Sequence, residues 1–136
     1  GHDMDNTDTP LECGLGFTCD YEKEGGFRGR AAVLAQKEKG GLQKRMVQVL
    51  VNDPEPMMHH AEILYRDGVV VGDVRAASYG HTLGGSVGLA MVDGGEVLNK
   101  KYINGGKWEV DIAGKRYAVT VSLRPMYDAK NLKIKL

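Results

Sequence analysis

The clearest folding signal in the chain is Lys107-Trp108-Glu109-Val110-Asp111-Ile112-Ala113-Gly114-Lys115-Arg116-Tyr117-Ala118-Val119-Thr120-Val121-Ser122-Leu123. Apolar and polar side chains alternate on both sides of Ala113-Gly114, and alternation with a period of two is typical of a strand with one buried face. The glycine favours a tight turn between the two runs. This stretch therefore predicts an antiparallel hairpin with one apolar face and one solvated face.

Before this hairpin, three further apolar runs predict strands. The run 46–51 is compact and β-branched, which predicts a strand buried on both faces, and Asp53-Pro54 ends it because proline cannot donate to a ladder. The runs 63–66 and 69–71 flank Asp67-Gly68, a dipeptide typical of hairpin turns. With 19 glycines punctuating short apolar runs, the sequence predicts about six strands from residue 43 onward. Six strands suffice to close a small antiparallel barrel without exposed edges.

A short strand and helix segment is predicted to precede the barrel. A strand is expected around residues 15–21. A helix is expected at 28–39, followed by Gly40-Gly41 as a stop signal. Its apolar face is predicted to contain Phe27, Ala31, Leu34 and Ala35, which recur at helical spacing. The predicted fold class is thus mainly β.

Composition excludes several classes of protein. The 136 residues include 18 Lys and Arg against 18 Asp and Glu, so no basic excess indicates a nucleic-acid partner or an acidic membrane partner. The lysines at 130, 133 and 135 are interpreted as a solvated tail. No apolar run reaches the roughly 18 residues of a membrane span. Cys13 and Cys19 match no common zinc spacing and are expected to be reduced structural thiols.

Four segments together carry a family resemblance: 1–17, with Gly1-His2-Asp3 and Thr9-Pro10-Leu11-Glu12; Phe27-Arg28-Gly29-Arg30; 71–92, with Tyr79-Gly80-His81-Thr82-Leu83-Gly84; and Leu123-Arg124-Pro125-Met126-Tyr127-Asp128. In order and spacing they resemble the C-terminal end of the aminomethyltransferase (glycine cleavage T-protein) superfamily. Within it, the first and third segments are most similar to FAD-dependent sarcosine and dimethylglycine dehydrogenases. The resemblance implies that residues 1–42 are the tail of a folate-binding domain and that 43–136 are the C-terminal barrel.

The resemblance also implies a parent protein, of which we expect this chain to be the C-terminal piece because it opens without a methionine. In such a parent a flavin domain oxidises an N-methyl amine, and the T-protein-like half passes the one-carbon unit to tetrahydrofolate. FAD and tetrahydrofolate would be cofactors of the parent, with neither expected on this piece alone. The implied partners are the missing N-terminal flavin and folate domains. The implied location is the bacterial cytoplasm, or the mitochondrial matrix in a eukaryote.

Five residues are candidates for folate contact under this resemblance. His2 and Asp3 lie where the family's chain passes the folate cavity, and a carboxylate there suits pterin N–H groups. Glu12 is interpreted either as a residue that lines the folate cavity or as a helix or turn cap. Arg124 suits a folate's glutamate tail, and Tyr127 suits stacking, although both also fit a solvated barrel rim. This sequence has Asp128 where relatives of the family often carry a basic residue, and Met58 near the position where they carry an arginine.

No catalytic residue is assigned within the chain. In His59-His60-Ala61-Glu62, an extended strand would place His60 and Glu62 on one face and His59 on the other. Two converging ligands are too few for a metal site, so no metal site is predicted. His81 lacks an accompanying nucleophile, so its loop is interpreted as barrel closure or an inter-domain contact. Two alternatives stay open: a stand-alone, non-catalytic β-barrel module for interaction or regulation, and the aminomethyltransferase of glycine cleavage. Apolar surface around Leu11, Leu15 and Phe17 is expected where a lost domain packs, and it offers a route to dimers.

Overall fold

The computed structural model describes residues 2–135. Gly1, the first residue of the Gly1-His2-Asp3 motif, and Leu136 lie outside the described part. The chain forms six strands: β1 (Lys44–Val51), β2 (Ile63–Arg66), β3 (Val69–Gly80), β4 (Gly85–Asp93), β5 (Trp108–Ile112) and β6 (Lys115–Ser122). They close into a barrel in the order β1-β4-β3-β2-β5-β6, with every pairing antiparallel. The predicted mainly β fold with a six-stranded barrel is confirmed.

Strand alternation places the core inside the barrel. Val47, Val49 and Val51 of β1 face inward and are 0–2% exposed, and Leu64 and Val110 are fully buried opposite one another in the β2–β5 register. The predicted burial of β1 on both faces is wrong, because Met46, Gln48 and Leu50 point to the outer face and stay partly exposed. A closed barrel gives each strand one interior side only, even when the sequence run is continuously apolar.

Both predicted hairpins are confirmed, and the backbone angles of their turns explain why these residues occur there. Asp67 and Gly68 have φ of 51° and 81°, and Ala113 and Gly114 have φ of 52° and 82°. Positive φ at both central residues gives the turn type whose twist matches that of the flanking strands. Elsewhere, β3 and β4 approach so closely that a Cβ on Gly72 would overlap the carbonyl oxygen of Met91.

A second helix, α2 (Lys100–Asn104), covers one end of the barrel and was missed from the sequence. The Asn99 side chain accepts a hydrogen bond from the Tyr102 N–H at 3.0 Å, as an N-cap does. Trp108 Nε1 donates to the Ile103 carbonyl at 2.8 Å, which joins α2 to β5. Asn99, immediately before Lys100, was the available signal in the sequence.

The segment before the barrel differs from its prediction in three ways. The strand expected at 15–21 is a 3-10 turn, Gly16–Thr18, because the Thr18 N–H and hydroxyl both donate to the Leu15 carbonyl, at 2.9 and 2.7 Å. Helix α1 is Arg30–Lys39, beginning after Gly29 at φ 86°. On α1 the buried side chain is Val33, whereas Ala31 and Ala35 of the predicted apolar face are exposed.

Candidate functional site

The segment 2–15 lies against the outer face of β1, β3 and β4, and charge pairs hold it there. Lys44 Nζ of β1 is 2.6 Å from Asp8 Oδ1, whose side chain is fully buried. Arg75 of β3 lies 3.9 Å from Asp5 and 3.1 Å from Asp73. The Met46 N–H donates to the Glu12 carbonyl at 2.7 Å, which continues the attachment along β1. These contacts place His2, Asp3 and Glu12 on one flank of the barrel.

The charge pairs set the protonation states in this segment. The hydrogen bond from Lys44, and then the one from the Asp5 N–H, lower the pKa of Asp8 below its ordinary value. The same contact with Asp8 raises the pKa of Lys44. Burial raises the pKa of Cys13, and the nearby negative charges of Asp8 and Glu12 raise it further. Burial and this raised pKa both disfavour the thiolate, which does not suit a nucleophilic role for Cys13. Cys13 and Cys19 are both free cysteines in the structure.

Glu12 is held by its own segment. The Thr9 N–H donates to Glu12 Oε2 at 2.9 Å, and the Glu12 N–H donates to Thr9 Oγ1 at 3.2 Å, which is a capping box. Gln36 Nε2 of α1 donates to the other carboxylate oxygen at 3.2 Å. Glu12 also lines a cavity of about 370 Å³ with Lys39 and Lys44. The capping role, one of the two interpretations from the sequence, is thus present in the structure.

His2 and Asp3 are both exposed and have different neighbours. The His2 ring is 4.5 Å from the His60 ring, centroid to centroid. Asp3 lines an open cavity of about 310 Å³ on the outer barrel face, together with Gln48 of β1 and Ser78 of β3. The carboxylate of Asp3 therefore faces a shallow depression that has polar groups at its edge and the apolar surface of β4 beside it.

Arg124 and Tyr127 both follow β6, but they have different surroundings. Arg124 lines a cavity of about 320 Å³ at the α2 end of the barrel. Tyr127 is 47% exposed, and Lys133 Nζ lies 5.3 Å from the centre of its ring. The neighbouring Met126 N–H donates to Gln48 Oε1 in a short hydrogen bond. The segment that carries Tyr127 is thereby attached to the residue that borders the Asp3 cavity.

The five predicted residues are not all brought together. Asp3, Glu12 and Arg124 line three separate cavities, whereas Asp3 and the Tyr127 segment share the outer face through Gln48. Sequence reasoning missed Gln48, although it is the one polar residue of the apolar run 46–51, and this was the available signal. We define the Gln48 surface as Asp3, Gln48, Ser78, Leu89 and the segment 126–127.

The remaining candidates have structural partners. Glu62 Oε1 accepts a hydrogen bond from the His59 N–H at 2.7 Å, and among residues 2–135 no three His, Cys, Asp or Glu side chains cluster as metal ligands. His81 lies in the β3–β4 connection, with its ring 5.1 Å from that of Tyr79. Met58, where relatives were expected to carry an arginine, is fully buried in the barrel core. In the same described range, neither helix has the length and apolar character needed to cross a bilayer.

Comparison with known proteins adds a family match and curated relatives. The family model described as the glycine cleavage T-protein C-terminal barrel domain matches residues 44–128. A 4-methylaminobutanoate oxidase (formaldehyde-forming) of Paenarthrobacter nicotinovorans is 38% identical over 99% of this chain, which covers 16% of that protein. The mitochondrial sarcosine dehydrogenase of Mus musculus is 32% identical over 98% of the chain, which covers 14% of it.

An aminomethyltransferase of Nostoc sp. is 37% identical over 96% of the chain, and here the chain covers 33% of the relative. The chain thus spans between about a seventh and a third of the length of these curated relatives. A crystal structure of aminomethyltransferase T from Bartonella henselae matches with a TM-score of 0.73 at 22% identity, covering 95% of this chain and 35% of that one. At this identity the structural match supports the fold alone.

Proposed function

The chain belongs to the family of glycine cleavage T-protein C-terminal barrel domains, and from that membership we propose that it serves a flavin-dependent N-methylamine dehydrogenase of the sarcosine or dimethylglycine type. In this proposal it is the C-terminal, folate-side domain of a longer protein that transfers a one-carbon unit to tetrahydrofolate. The observation that carries the proposal is the 38% identity to a formaldehyde-forming oxidase over nearly the whole chain, the segment 2–43 included. The division into a tail at 1–42 and a barrel at 43–136 stays a prediction.

We assign the folate-facing side to the Gln48 surface. The Asp3 carboxylate is an exposed hydrogen-bond acceptor beside a depression of about 310 Å³, which suits the N–H groups of a pterin ring. Tyr127 is 47% exposed on the segment that is attached to Gln48, and an exposed aromatic ring suits stacking on a ligand. Gln48 holds the Tyr127 segment through the Met126 N–H. In this role the residues of the chain bind and orient one part of the cofactor and exclude water from it.

The size of this depression fits part of a folate only. Its volume lies at the low end of small-molecule sites, which bury most of a drug-sized ligand. When bound, tetrahydrofolate supplies the nitrogen atoms that accept the one-carbon unit. The rest of the cofactor must contact residues outside this chain, so we expect the 136 residues alone to bind folate weakly and to turn over no amine.

A titration of the 136-residue chain with folinic acid, followed by amide NMR, tests the folate-facing assignment. We expect weak binding, with shifts at Gln48, Ser78 and Leu89, and further weakening in Asp3→Asn. Glu38→Gln, which removes a negative charge from the exposed side of α1, is the matched control and should leave the shifts unchanged. Sub-micromolar affinity, or shifts confined to other parts of the barrel, would contradict the assignment.

The aminomethyltransferase of glycine cleavage is the second candidate, favoured by the 37% identity to the Nostoc protein. The two candidates differ in the flavin. We expect the full-length parent to show a bound-flavin absorption spectrum that bleaches when sarcosine or dimethylglycine is added anaerobically. A parent that purifies without flavin, and that acts on an aminomethylated carrier protein instead, supports the second candidate against the first.

A further inference from the structure

The α2 end of the barrel contains a basic cavity that the proposed function does not use. It has a volume of about 320 Å³ and is lined by three cationic side chains, Arg45, Lys100 and Arg124, without any Asp or Glu. The whole sequence contains equal numbers of acidic and basic residues, so this concentration does not follow from a general excess of positive charge. Like charges gathered in one concave site raise the local potential and favour an anion there.

Arg45 reaches the cavity because of its position in β1. It precedes Val47 by two residues and pairs in register with the buried Val92, so it continues the inward-facing row at the end of the barrel. Lys100 comes from the start of α2, and Arg124 comes from the chain that leaves β6. Three elements distant in sequence thus bring one cation each to the same opening.

These cations are available to a ligand. The ion pairs formed within residues 2–135 use Lys44, Arg66, Arg75 and Lys107, and none of them uses the three residues of the cavity. Arg45 Nε is buried and has no hydrogen-bond acceptor in this part of the chain. Arg45 thus lines the cavity with one of its donors unsatisfied, and no acidic residue lines the cavity to pair with it.

The rest of the lining indicates which kind of anion fits. Ile103, Val121 and Leu123 give the cavity an apolar wall, and Asn104 adds a side-chain amide. An arginine fork matches the geometry of carboxylate and phosphate oxygens. The combination of three cations with an apolar wall suits an organic body bearing more than one negative charge, rather than a bare inorganic ion.

We propose that this cavity is a binding site for a small organic anion that carries two negative charges, as carboxylates or as a phosphate. The proposal goes beyond the function proposed above, since it requires neither folate nor flavin and the cavity shares no lining residue with the Asp3 cavity. Ser122 supports it by fixing the backbone at Arg124, because its hydroxyl donates to the Arg124 carbonyl at 2.8 Å and accepts from the Arg124 N–H at 3.1 Å.

The test is an amide NMR titration of the 136-residue chain at low salt with phthalate and, separately, with phenyl phosphate. We expect saturable shifts at Arg45, Ile103, Asn104 and Arg124 with at least one of the two probes, and the probe that binds more tightly identifies carboxylate or phosphate chemistry. Affinity should fall as salt is added, because screening weakens charge attraction. Benzoate, which has the same ring but one charge, should bind more weakly than phthalate.

Charge-removing variants locate the site. Arg45→Gln and Arg124→Gln should each weaken binding about tenfold, which is the loss of one charged hydrogen bond. Arg124 is exposed at the end of β6, so its variant is expected to fold even if Arg45→Gln does not. Lys130→Gln removes the same charge from the exposed tail and should leave the affinity unchanged.

Three results would overturn the proposal. The first is a set of amide shifts that do not saturate. The second is a loss of affinity in Lys130→Gln equal to that in Arg124→Gln. The third is binding of folinic acid at the cavity when phthalate and phenyl phosphate both fail to bind. The last result would assign the cavity to folate. The flavin spectrum of the parent and the shifts at Ser78 and Leu89, which line the Asp3 cavity and not this one, report separately on the proposed function, so the two proposals can fail independently.

Discussion

The barrel and the segment before it are stabilised by different forces. Inside the barrel, side chains such as Leu64, Val74 and Val110 are fully buried, and pairing of β6 with β1 leaves no open edge. Within residues 2–43 the buried apolar side chains are Cys13 and Val33, and the attachment to the barrel depends on charge pairs and hydrogen bonds. The stabilisation from apolar burial is insensitive to pH, whereas the stabilisation from a charge pair changes with pH. We therefore expect the two regions to respond to different perturbations.

A cavity in the barrel core should destabilise the chain more than any other change considered below. Leu64→Ala should lower the free energy of unfolding by about 2–5 kcal/mol, because it removes a fully buried side chain and leaves a void. Chemical denaturation measures the loss. Leu132→Ala is the matched control, since Leu132 is 64% exposed and its truncation should change stability by less than about 0.5 kcal/mol. Equal losses in both variants would show that the barrel is not the stable unit.

The next largest loss of stability should come from the buried hydroxyl of Ser86, which the core tolerates because it is hydrogen-bonded. The fully buried Ser86 accepts a hydrogen bond from the Met58 N–H at 2.9 Å, which fixes the chain between β1 and β2. Ser86→Ala should cost about 1–3 kcal/mol, since the Met58 N–H stays buried without an acceptor. Ser78→Ala, at an exposed position on β3, should be near neutral in the same denaturation experiment. A neutral Ser86→Ala would mean that this hydrogen bond contributes nothing net.

The comparison also explains which features could be predicted from the sequence. Both hairpins follow from local alternation and from the turn residues at 67–68 and 113–114, so they were predicted correctly. The 3-10 turn at 16–18 was not, because the hydrogen bonds of Thr18 to Leu15 compete with an extended conformation that no neighbouring strand stabilises. Local patterns determine elements in the barrel, whereas the preceding segment depends on particular contacts.

The candidate sites were harder to predict, because they depend on residues far apart in sequence. Glu12 was left open between a cavity residue and a cap, and the structure shows capping hydrogen bonds with Thr9, three residues before it. The link from Gln48 to Met126 and the meeting of Arg45 with Arg124 required the closed barrel, which places β1 beside β6. No spacing rule within one segment encodes such a neighbour.

A smaller effect should appear in the segment alone. Asp8→Asn removes the charge that pairs with Lys44 and should weaken the attachment by about 1 kcal/mol, which corresponds to about fivefold more opening. Labelling of the buried Cys13 with a thiol reagent, in a Cys19→Ser background, measures this opening. We expect labelling to accelerate about fivefold while the denaturation midpoint of the barrel changes little. Asp53→Asn is the control for the loss of an acidic charge elsewhere and should label at the original rate.

The smallest effect is the pH dependence of the same attachment. The folded structure lowers the pKa of Asp8 below its ordinary value of 3.8, so its stabilisation is present above pH 3.8 and is lost as the pH falls through the folded pKa. Lys44 acts in the opposite direction. Its pKa is raised above 10.5, so its contribution is present below that pH and is lost as the pH rises through the raised pKa.

Between these limits the attachment should be constant, and on acidification the segment should open before the barrel unfolds. Amide hydrogen exchange of residues 5–15, compared with that of β1 and β5, measures the difference. Asp8→Asn should make the acid limb for the segment shallower, while Asp5, whose pKa is also lowered, keeps part of it. The barrel amides should be unchanged, since their protection comes from apolar burial rather than from a titrating group. If segment and barrel amides lost protection at the same pH in the unsubstituted chain, the two regions would be one cooperative unit, and the contrast between charge pairing and burial would not describe how this chain opens.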